Sequence, residues 1–381
     1  MIYLDNAATT WPKPEAVYDA VLDVMKNKAG NPGRSGHDMS LSAGRVLNEA
    51  RFSASRFFGV KDPSRIVFTC NATDSLNLAI NGSLTAGDHV ITTSMEHNSV
   101  TRPLEYLLKK GIEYTKVRMD PVLGVEPEDV KKALRGNTKL VVITHASNVT
   151  GTVNPIGAIG EMCRNEGIVF LVDGSQSAGV IPIDVDSMYI DLLAFPGHKG
   201  LFGPSGTGGL YIRDGLSVEP SRYGGTGVHS ELLLQPSEMP YTYESGTLNL
   251  PGIAGLDAGI RFISDQSLSS IRQHETRLTD LLLDGLKRIN GVRIYGPQHG
   301  EERAAVVSIN IEGTDPMEAA LILDTSFGIA VRAGLHCAPD AHRTLGTLDS
   351  GGTIRISPGF FNTEEDIGRC LEGIAVIAAE I

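Results

Sequence analysis

The sequence predicts an α/β protein, with a mainly parallel sheet covered by helices on both faces and a smaller α+β unit toward the C-terminus. Three observations carry that prediction. Between residues 65 and 212, short β-branched runs alternate with stretches of helical character. Those runs are apolar at successive positions, as strands buried under helices on both sides must be. Beyond about residue 260 the alternation stops, and strands and helices mix without a regular beat.

Residues 1–14 lack sheet periodicity and are expected to lie across both units as an N-terminal segment. Strands are predicted at 66–69, 89–92, 140–144, 168–172, 190–194 and 209–212, with an amphipathic helix at 74–81. Together these make a large domain over 15–260. A long amphipathic helix over 266–290 then opens a small domain over 261–381. It is followed by strands near 292–295, 304–311, 329–332 and 353–357 and by a last helix from about 363, where Asn362-Thr363-Glu364-Glu365 has the composition of a helix start. A ligand site in a sheet of this kind lies beyond the carboxyl ends of the strands.

The chain has 381 residues, enough for two domains, and a net charge of -12. That charge disfavours nucleic acid and anionic membranes as partners. The four cysteines, Cys70, Cys163, Cys337 and Cys370, lie far apart with no CxxC spacing. No metal site or disulfide framework is expected from them, and they fit a reducing compartment. The N-terminus is polar within five residues and no apolar stretch approaches a membrane span. A cytoplasmic location is the expectation.

Three side chains fall at or just past predicted strand ends: His97 in Ser94-Met95-Glu96-His97-Asn98, Asp173 ending Val169-Phe170-Leu171-Val172-Asp173, and Lys199 in Phe195-Pro196-Gly197-His198-Lys199-Gly200. Singly, each has an ordinary reading. The aspartate can cap a helix, the lysine can be a solvated loop residue, and the histidine can be structural. Jointly they fit pyridoxal 5'-phosphate (PLP) chemistry. A lysine forms a Schiff base with the cofactor aldehyde, a carboxylate keeps the pyridine nitrogen protonated, and an imidazole stacks on the ring. Cys70-Asn71-Ala72-Thr73-Asp74 joins a strand to a helix, where backbone amides and the Thr73 hydroxyl can cradle a phosphate. By itself that turn reads equally well as a helix cap.

Several further segments carry a family resemblance: Leu4-Asp5-Asn6-Ala7-Ala8-Thr9-Thr10, Ser147-Asn148-Val149-Thr150-Gly151, Gly224-Gly225-Thr226-Gly227, Glu244-Ser245-Gly246-Thr247 and Arg332-Ala333-Gly334-Leu335-His336-Cys337-Ala338-Pro339. With the triad segments, they resemble in order the class V aminotransferase group of fold-type I PLP enzymes. Within that group the chain is most similar to cysteine desulfurases and selenocysteine lyases, and closest to the type II (Suf-like) desulfurases with a short cysteine loop. The resemblance implies a seven-stranded sheet. It makes Lys199 the Schiff-base lysine, Asp173 the pyridinium partner and His97 the stacking residue. Gln176 and Asn148 are implied at the phenolic oxygen, and Ala72, Thr73 and His198 at the phosphate. Gly246 and Thr247 are implied to reach the phosphate from a second subunit, hence a homodimer. Asn148, Arg355 and Arg332 are implied at the substrate carboxylate. Pro196 departs from the pattern: many relatives carry Ser or Thr there, and proline offers neither hydroxyl nor amide.

Cys337 decides the subtype. An isolated cysteine is commonly a buried packing residue, but this one lies in a polar Gly/His/Pro loop, with Arg332 and His336 as expected sources of positive charge. Cys70, Cys163 and Cys370 fall in strand- or helix-like segments and are expected to be structural. The implied activity removes sulfur from L-cysteine, giving L-alanine and a persulfide on Cys337, with a protein sulfur acceptor as a further partner. Three other readings stay open: a selenocysteine lyase acting on L-selenocysteine, an aminotransferase-like enzyme, and an assembly protein that hands on sulfur or selenium.

Overall fold

The computed structural model describes residues 1–32 and 36–379. The chain begins with a two-residue strand, β1 (Ile2–Tyr3), and two helices, α1 (Glu15–Asn27) and α2 (Asp38–Phe57). There follow β2 (Ile66–Thr69), α3 (Ala72–Gly82), β3 (His89–Thr93), α4 (Asn98–Leu108), β4 (Glu113–Val117), α5 (Pro127–Lys132), β5 (Thr138–Thr144) and α6 (Ile156–Glu166). Next come β6 (Val169–Asp173), β7 (Leu192–Pro196), β8 (Gly208–Ile212), α7 (Leu250–Gln266) and α8 (Leu268–Leu286). The remainder is β9 (Val292–Tyr295), β10 (Val307–Ile311), α9 (Pro316–Phe327), β11 (Ile329–Ala330), β12 (Arg332–Gly334), α10 (Pro339–Leu345), β13 (Thr353–Ile356) and α11 (Glu364–Ala379).

Seven strands form the large sheet in the order β2-β8-β7-β6-β5-β3-β4. Only β8 runs against its neighbours. Strands β3, β6, β7 and β8 are buried at every position. Apolar clusters cover both faces: Phe170, Val172, Phe195 and Val141 on one, Leu171, Ala194, Val142 and Leu140 on the other. Successive strand residues alternate between those clusters, which is why the sequence runs read as apolar throughout. A four-stranded antiparallel sheet, β12-β13-β10-β9, packs with α8, α9 and α11 around a third cluster that includes Ile309, Ile354, Leu282 and Ile374.

Several expectations shift. The helix expected at 266–290 spans 268–286 and is preceded by a second, unpredicted helix; Ser267, at φ 64°, breaks the two and caps the later one through its hydroxyl. The strand expected at 190–194 is displaced to Leu192–Pro196, because Asp191 uses its carboxylate on the Phe170 amide, 2.9 Å away, instead of starting the ladder. The run 304–311 enters the sheet only at Val307, and 329–332 splits into β11 and β12 on different sheets. Residues 1–14 were expected to lack sheet structure, yet Ile2 and Tyr3 pair in parallel with Ile329 and Ala330. Strand β4 (EYTKV) escaped notice because it is an edge strand with only Val117 buried.

Candidate active site

The parallel strands bring their carboxyl ends to one edge, and the loops that follow β2, β3, β5, β6 and β7 line the site there. The first joins β2 to α3. Asn71 caps the helix, its side-chain oxygen accepting from the Asp74 amide at 2.9 Å, so the backbone of Ala72 and Thr73 forms the first turn. Strand β8 passes so close that a Cβ on Gly208 would lie 2.8 Å from the Asn71 carbonyl carbon. Only glycine permits that approach. The Thr73 hydroxyl bonds the Ser99 hydroxyl at 2.7 Å.

His97, after β3, caps α4. Its Nδ1 accepts from the Ser99 amide at 3.0 Å. The neutral ring therefore carries its proton on Nε2. Burial pushes the imidazole pKa down to about 4, with Asp173 opposing and Lys199, Arg332 and Arg355 adding to the depression. Directly before it, Glu96 is fully buried and accepts from the Thr93 hydroxyl at 2.7 Å and the Thr144 amide at 3.1 Å. Burial raises the Glu96 carboxyl to about 8, so it is uncharged at neutral pH.

Asp173 ends β6 and is 2% exposed; one oxygen accepts from the Ser175 amide at 2.9 Å. Lys199 follows β7. The residue as a whole is half-buried, but its amine is enclosed, and burial lowers its pKa to about 8 against the opposing pull of Asp173. Among the described residues Lys199 makes no ion pair, so a buried amine and a buried carboxylate face one space without neutralising each other. The Lys199 peptide is held from the N-terminus. The His198 carbonyl accepts from the Thr10 amide at 3.1 Å, the Thr9 hydroxyl at 3.0 Å and the Lys13 amine at 2.7 Å.

The small sheet supplies two arginines. Arg332 and Arg355 are direct cross-strand partners on β12 and β13. Arg355 is 1% exposed and donates to the Asn148 carbonyl at 3.1 Å and to Asp5 Oδ1 at 2.7 Å. Arg332 donates to the Cys337 sulfur at 3.3 Å. Two cations beside one carboxylate leave a positive surplus, suited to an anionic ligand. The Cys337 loop is fastened at both sides: Asn98 N donates to the Cys337 carbonyl and the Asn148 side chain to the His336 carbonyl, each at 2.7 Å. His336 and Cys337 both adopt left-handed φ, 49° and 57°. Such geometry in non-glycine residues costs about 1–3 kcal/mol each and persists only where surroundings impose it.

A cavity of about 220 Å³ is lined by Ala72, Thr73, His97, Asn148, Asp173, Gln176, Pro196, His198, Lys199, Arg332 and Arg355. Cys337 is exposed and lines an adjoining groove that shares Thr73 and His97 with the cavity. Gly246 and Thr247 are absent from this cavity; Thr247 lines a separate hollow with Cys70 and Arg222. Two expectations are corrected. His336 supplies no positive charge, since burial, with Arg355, His342 and Arg332 nearby, pushes its pKa down to about 2. Cys70 is exposed in the turn after β2, not within a strand or helix. Sequence reading assigned no role to Asp5, Lys13 or Glu96. The first two lie in or beside the Leu4–Thr10 motif, which is their only local signal.

The cavity fits PLP. Among the described residues, His198 Nδ1 and Arg355 Nε are buried without a hydrogen-bond partner, as polar groups awaiting a ligand are. The carboxylate, enclosed amine and neutral imidazole match what the ring, aldehyde and ring face require.

Comparisons agree with this geometry. The family profile described as aminotransferase class-V matches residues 2–370. A probable cysteine desulfurase of Methanothermobacter thermautotrophicus is 37% identical over 98% of this chain and 94% of its own length. A cysteine desulfurase of Haloferax volcanii is 32% identical over 98% of this chain and 88% of its own. The apo structure of a cysteine desulfurase from Thermococcus onnurineus NA1 superposes with a TM-score of 0.93 at 33% identity, covering 100% of this chain and 95% of that one. The chain belongs to the class-V aminotransferase family, whose members depend on PLP. Among the described residues no helix is long and apolar enough to cross a membrane.

Proposed function

We propose that this protein is a PLP-dependent cysteine desulfurase that converts L-cysteine to L-alanine and leaves a persulfide on Cys337. The observation that carries the reading is the Arg332 guanidinium 3.3 Å from the Cys337 sulfur, beside the cavity that holds the Lys199 amine. An adjacent guanidinium stabilises a thiolate, the form in which cysteine is a nucleophile. When bound, PLP supplies the electron sink that lets the substrate Cα carry negative charge. Arg355, with Asn148 beside it, holds the substrate carboxylate. Lys199 Nζ takes the Cα proton and returns it. His97, held neutral by burial, would pack against the ring of bound PLP and repel no cation. The Cys337 thiolate attacks the substrate sulfur and a sulfur–sulfur bond forms; the carbon–sulfur bond breaks with its electron pair left on Cβ, which takes up the proton given off by the substrate thiol to become the methyl group of alanine.

Ala72, Thr73 and His198 form the phosphate cup, with Gln176 and Asn148 toward the phenolic oxygen. Pro196 contributes no donor, so the cup relies on the others. Gly246 and Thr247 complete it from a second copy, in a homodimer of the cytoplasm. The test is alanine release from L-cysteine and, separately, from L-selenocysteine, by the holoenzyme and by Cys337→Ala. Cysteine turnover should fall at least about a thousandfold in the variant while PLP stays bound, since the attacking group is lost. Turnover of selenocysteine alone, surviving the substitution, would make the protein a selenocysteine lyase. Pyridoxamine phosphate formation without alanine would make it an aminotransferase.

A further inference from the structure

We propose that Lys116 is a positioning residue for the Cys337 nucleophile. Paired with Asp340, it ties the cysteine loop to the edge of the large sheet and so sets where the sulfur stands beside the cavity. The proposal rests on the persulfide reading above.

Cys337 lies at a seam. Before it, β12 belongs to the small sheet, and His336 Nε2 is 3.0 Å from the Thr353 carbonyl of β13. After it, the chain crosses to the large sheet. Ala338 and Ala341 are fully buried in the same apolar cluster as Phe170 and Val172, and Leu345 packs against that cluster. The left-handed bend at His336 and Cys337 is the crossing point. A bend of that kind relaxes unless the structure on both sides of it is fixed. The pairing of β12 with β13 fixes the small-sheet side. The other side rests on α10.

Helix α10 is poorly equipped to hold itself. It has seven residues, and Ala338 makes no side-chain cap. Its buried alanines bring one methyl each, a small apolar area. Polar ties therefore decide how the helix is seated. At its far end the Thr344 hydroxyl donates to the Ser94 carbonyl at 3.2 Å. At its near end, just past Cys337, Asp340 Oδ2 accepts from Lys116 Nζ at 2.7 Å. Arg343 also reaches Asp340, but it lies in the same helix and moves with it. Lys116 instead belongs to β4, 224 positions earlier in the chain. That strand is registered on the site, because the Val117 carbonyl accepts from Ser94 N at 2.9 Å on the turn that leads to His97.

The lysine is well placed for this task. Its side chain is 27% exposed and that of Asp340 13%. The amine lies 5.2 Å from the centroid of the Tyr114 ring and 3.7 Å from Glu105, whose carboxylate also accepts from the Tyr114 hydroxyl. Burial opposes the charge on Lys116, yet Asp340 holds the amine above the ordinary lysine value. A pair this exposed adds little to global stability. Its effect is local, since removing it frees one side of a strained bend at the nucleophile. Attack on the substrate sulfur tolerates little displacement: about 1 Å costs roughly a hundredfold.

The test separates two steps of the holoenzyme. Exchange of the Cα proton of L-alanine with D2O, followed by NMR, reads the cofactor, Arg355 and Lys199 without Cys337. Single-turnover formation of the Cys337 persulfide from L-cysteine, quenched and read by intact-mass spectrometry, adds the attack. Lys116→Met and Asp340→Asn should each slow persulfide formation roughly tenfold or more and leave Cα exchange within about twofold of the parent. The double variant should be no slower than the slower single one, because both changes remove the same tie. Amide hydrogen exchange over residues 335–345 should quicken in each variant. Unchanged persulfide formation, or unchanged amide exchange, would overturn the proposal. So would equal losses in both steps, which would make the pair merely structural, and so would losses that multiply in the double variant. If the parent forms persulfide but the variants do not separate the steps, only the role of Lys116 is refuted. If the parent forms no persulfide, the functional reading falls and this role with it.

Discussion

Lys199 is reactive because its burial is only partly offset. Enclosure destabilises the ammonium, Arg355 and Arg332 add to that, and Asp173 pulls the other way, leaving a pKa of about 8. An amine attacks an aldehyde only when neutral, and the neutral fraction rises with pH through the pKa. Capture of PLP by the apoprotein, followed by visible absorbance, should therefore accelerate through pH 8 and level off above it. A midpoint near 10, the value of an ordinary lysine, would show that the amine is solvated in solution. Near Lys199 two other titratable groups are kept neutral by burial. Glu96 is protonated near pH 7 and His97 is unprotonated. The residue types of this triad were legible from strand ends and spacing. Their protonation states were not, because desolvation depends on everything packed around them.

Helix α8 shows the same physics away from the site. Glu275 is buried on its inner face beside the Phe360 backbone, and burial raises its pKa to about 8. A folded-state pKa above the unfolded one means that stability is fully present below about pH 4.5 and is lost as pH rises through about 8. Replacing Glu275 with Gln keeps the shape and removes the charge. The melting temperature of the variant should match or trail the parent's at pH 5 and exceed it at pH 8.5. A difference that does not change with pH would place the carboxyl in water. The sequence pattern found this helix but misplaced its start, since an unbroken apolar period runs across Ser267 from α7 into α8. The break is a backbone event at φ 64°, which periodicity does not register. Strand β4 was missed for the opposite reason: an edge strand buries too little to carry a signal.

Across the whole molecule, the N-terminal segment joins the two sheets at the site. Asp5 pairs with Arg355, the Ala7 carbonyl accepts from Gln176 at 2.9 Å, and Thr9, Thr10 and Lys13 hold the peptide of Lys199. Residues 5–13 thus connect the arginine read as the substrate clamp to the lysine read as the cofactor anchor. Asp5→Asn leaves the buried Arg355 with a weaker partner and should cost about 2 kcal/mol of stability. A carboxylate ligand in the cavity would replace the lost charge. Saturating L-alanine should therefore raise the melting temperature of Asp5→Asn more than that of the parent. An equal rise in both would separate Asp5 from the ligand site.

Sequence alone determined the fold class, the PLP chemistry and the group of residues in the cavity, because each is written locally. β-Branched runs, strand-end residues and short motifs keep their meaning whatever lies beyond them. Tertiary structure alone decided that Asp5 pairs with Arg355 and that His336 is neutral. These features join residues up to 350 positions apart in the chain or depend on burial. Contact and local dielectric are set by the packing of the whole chain, and no window of sequence contains them.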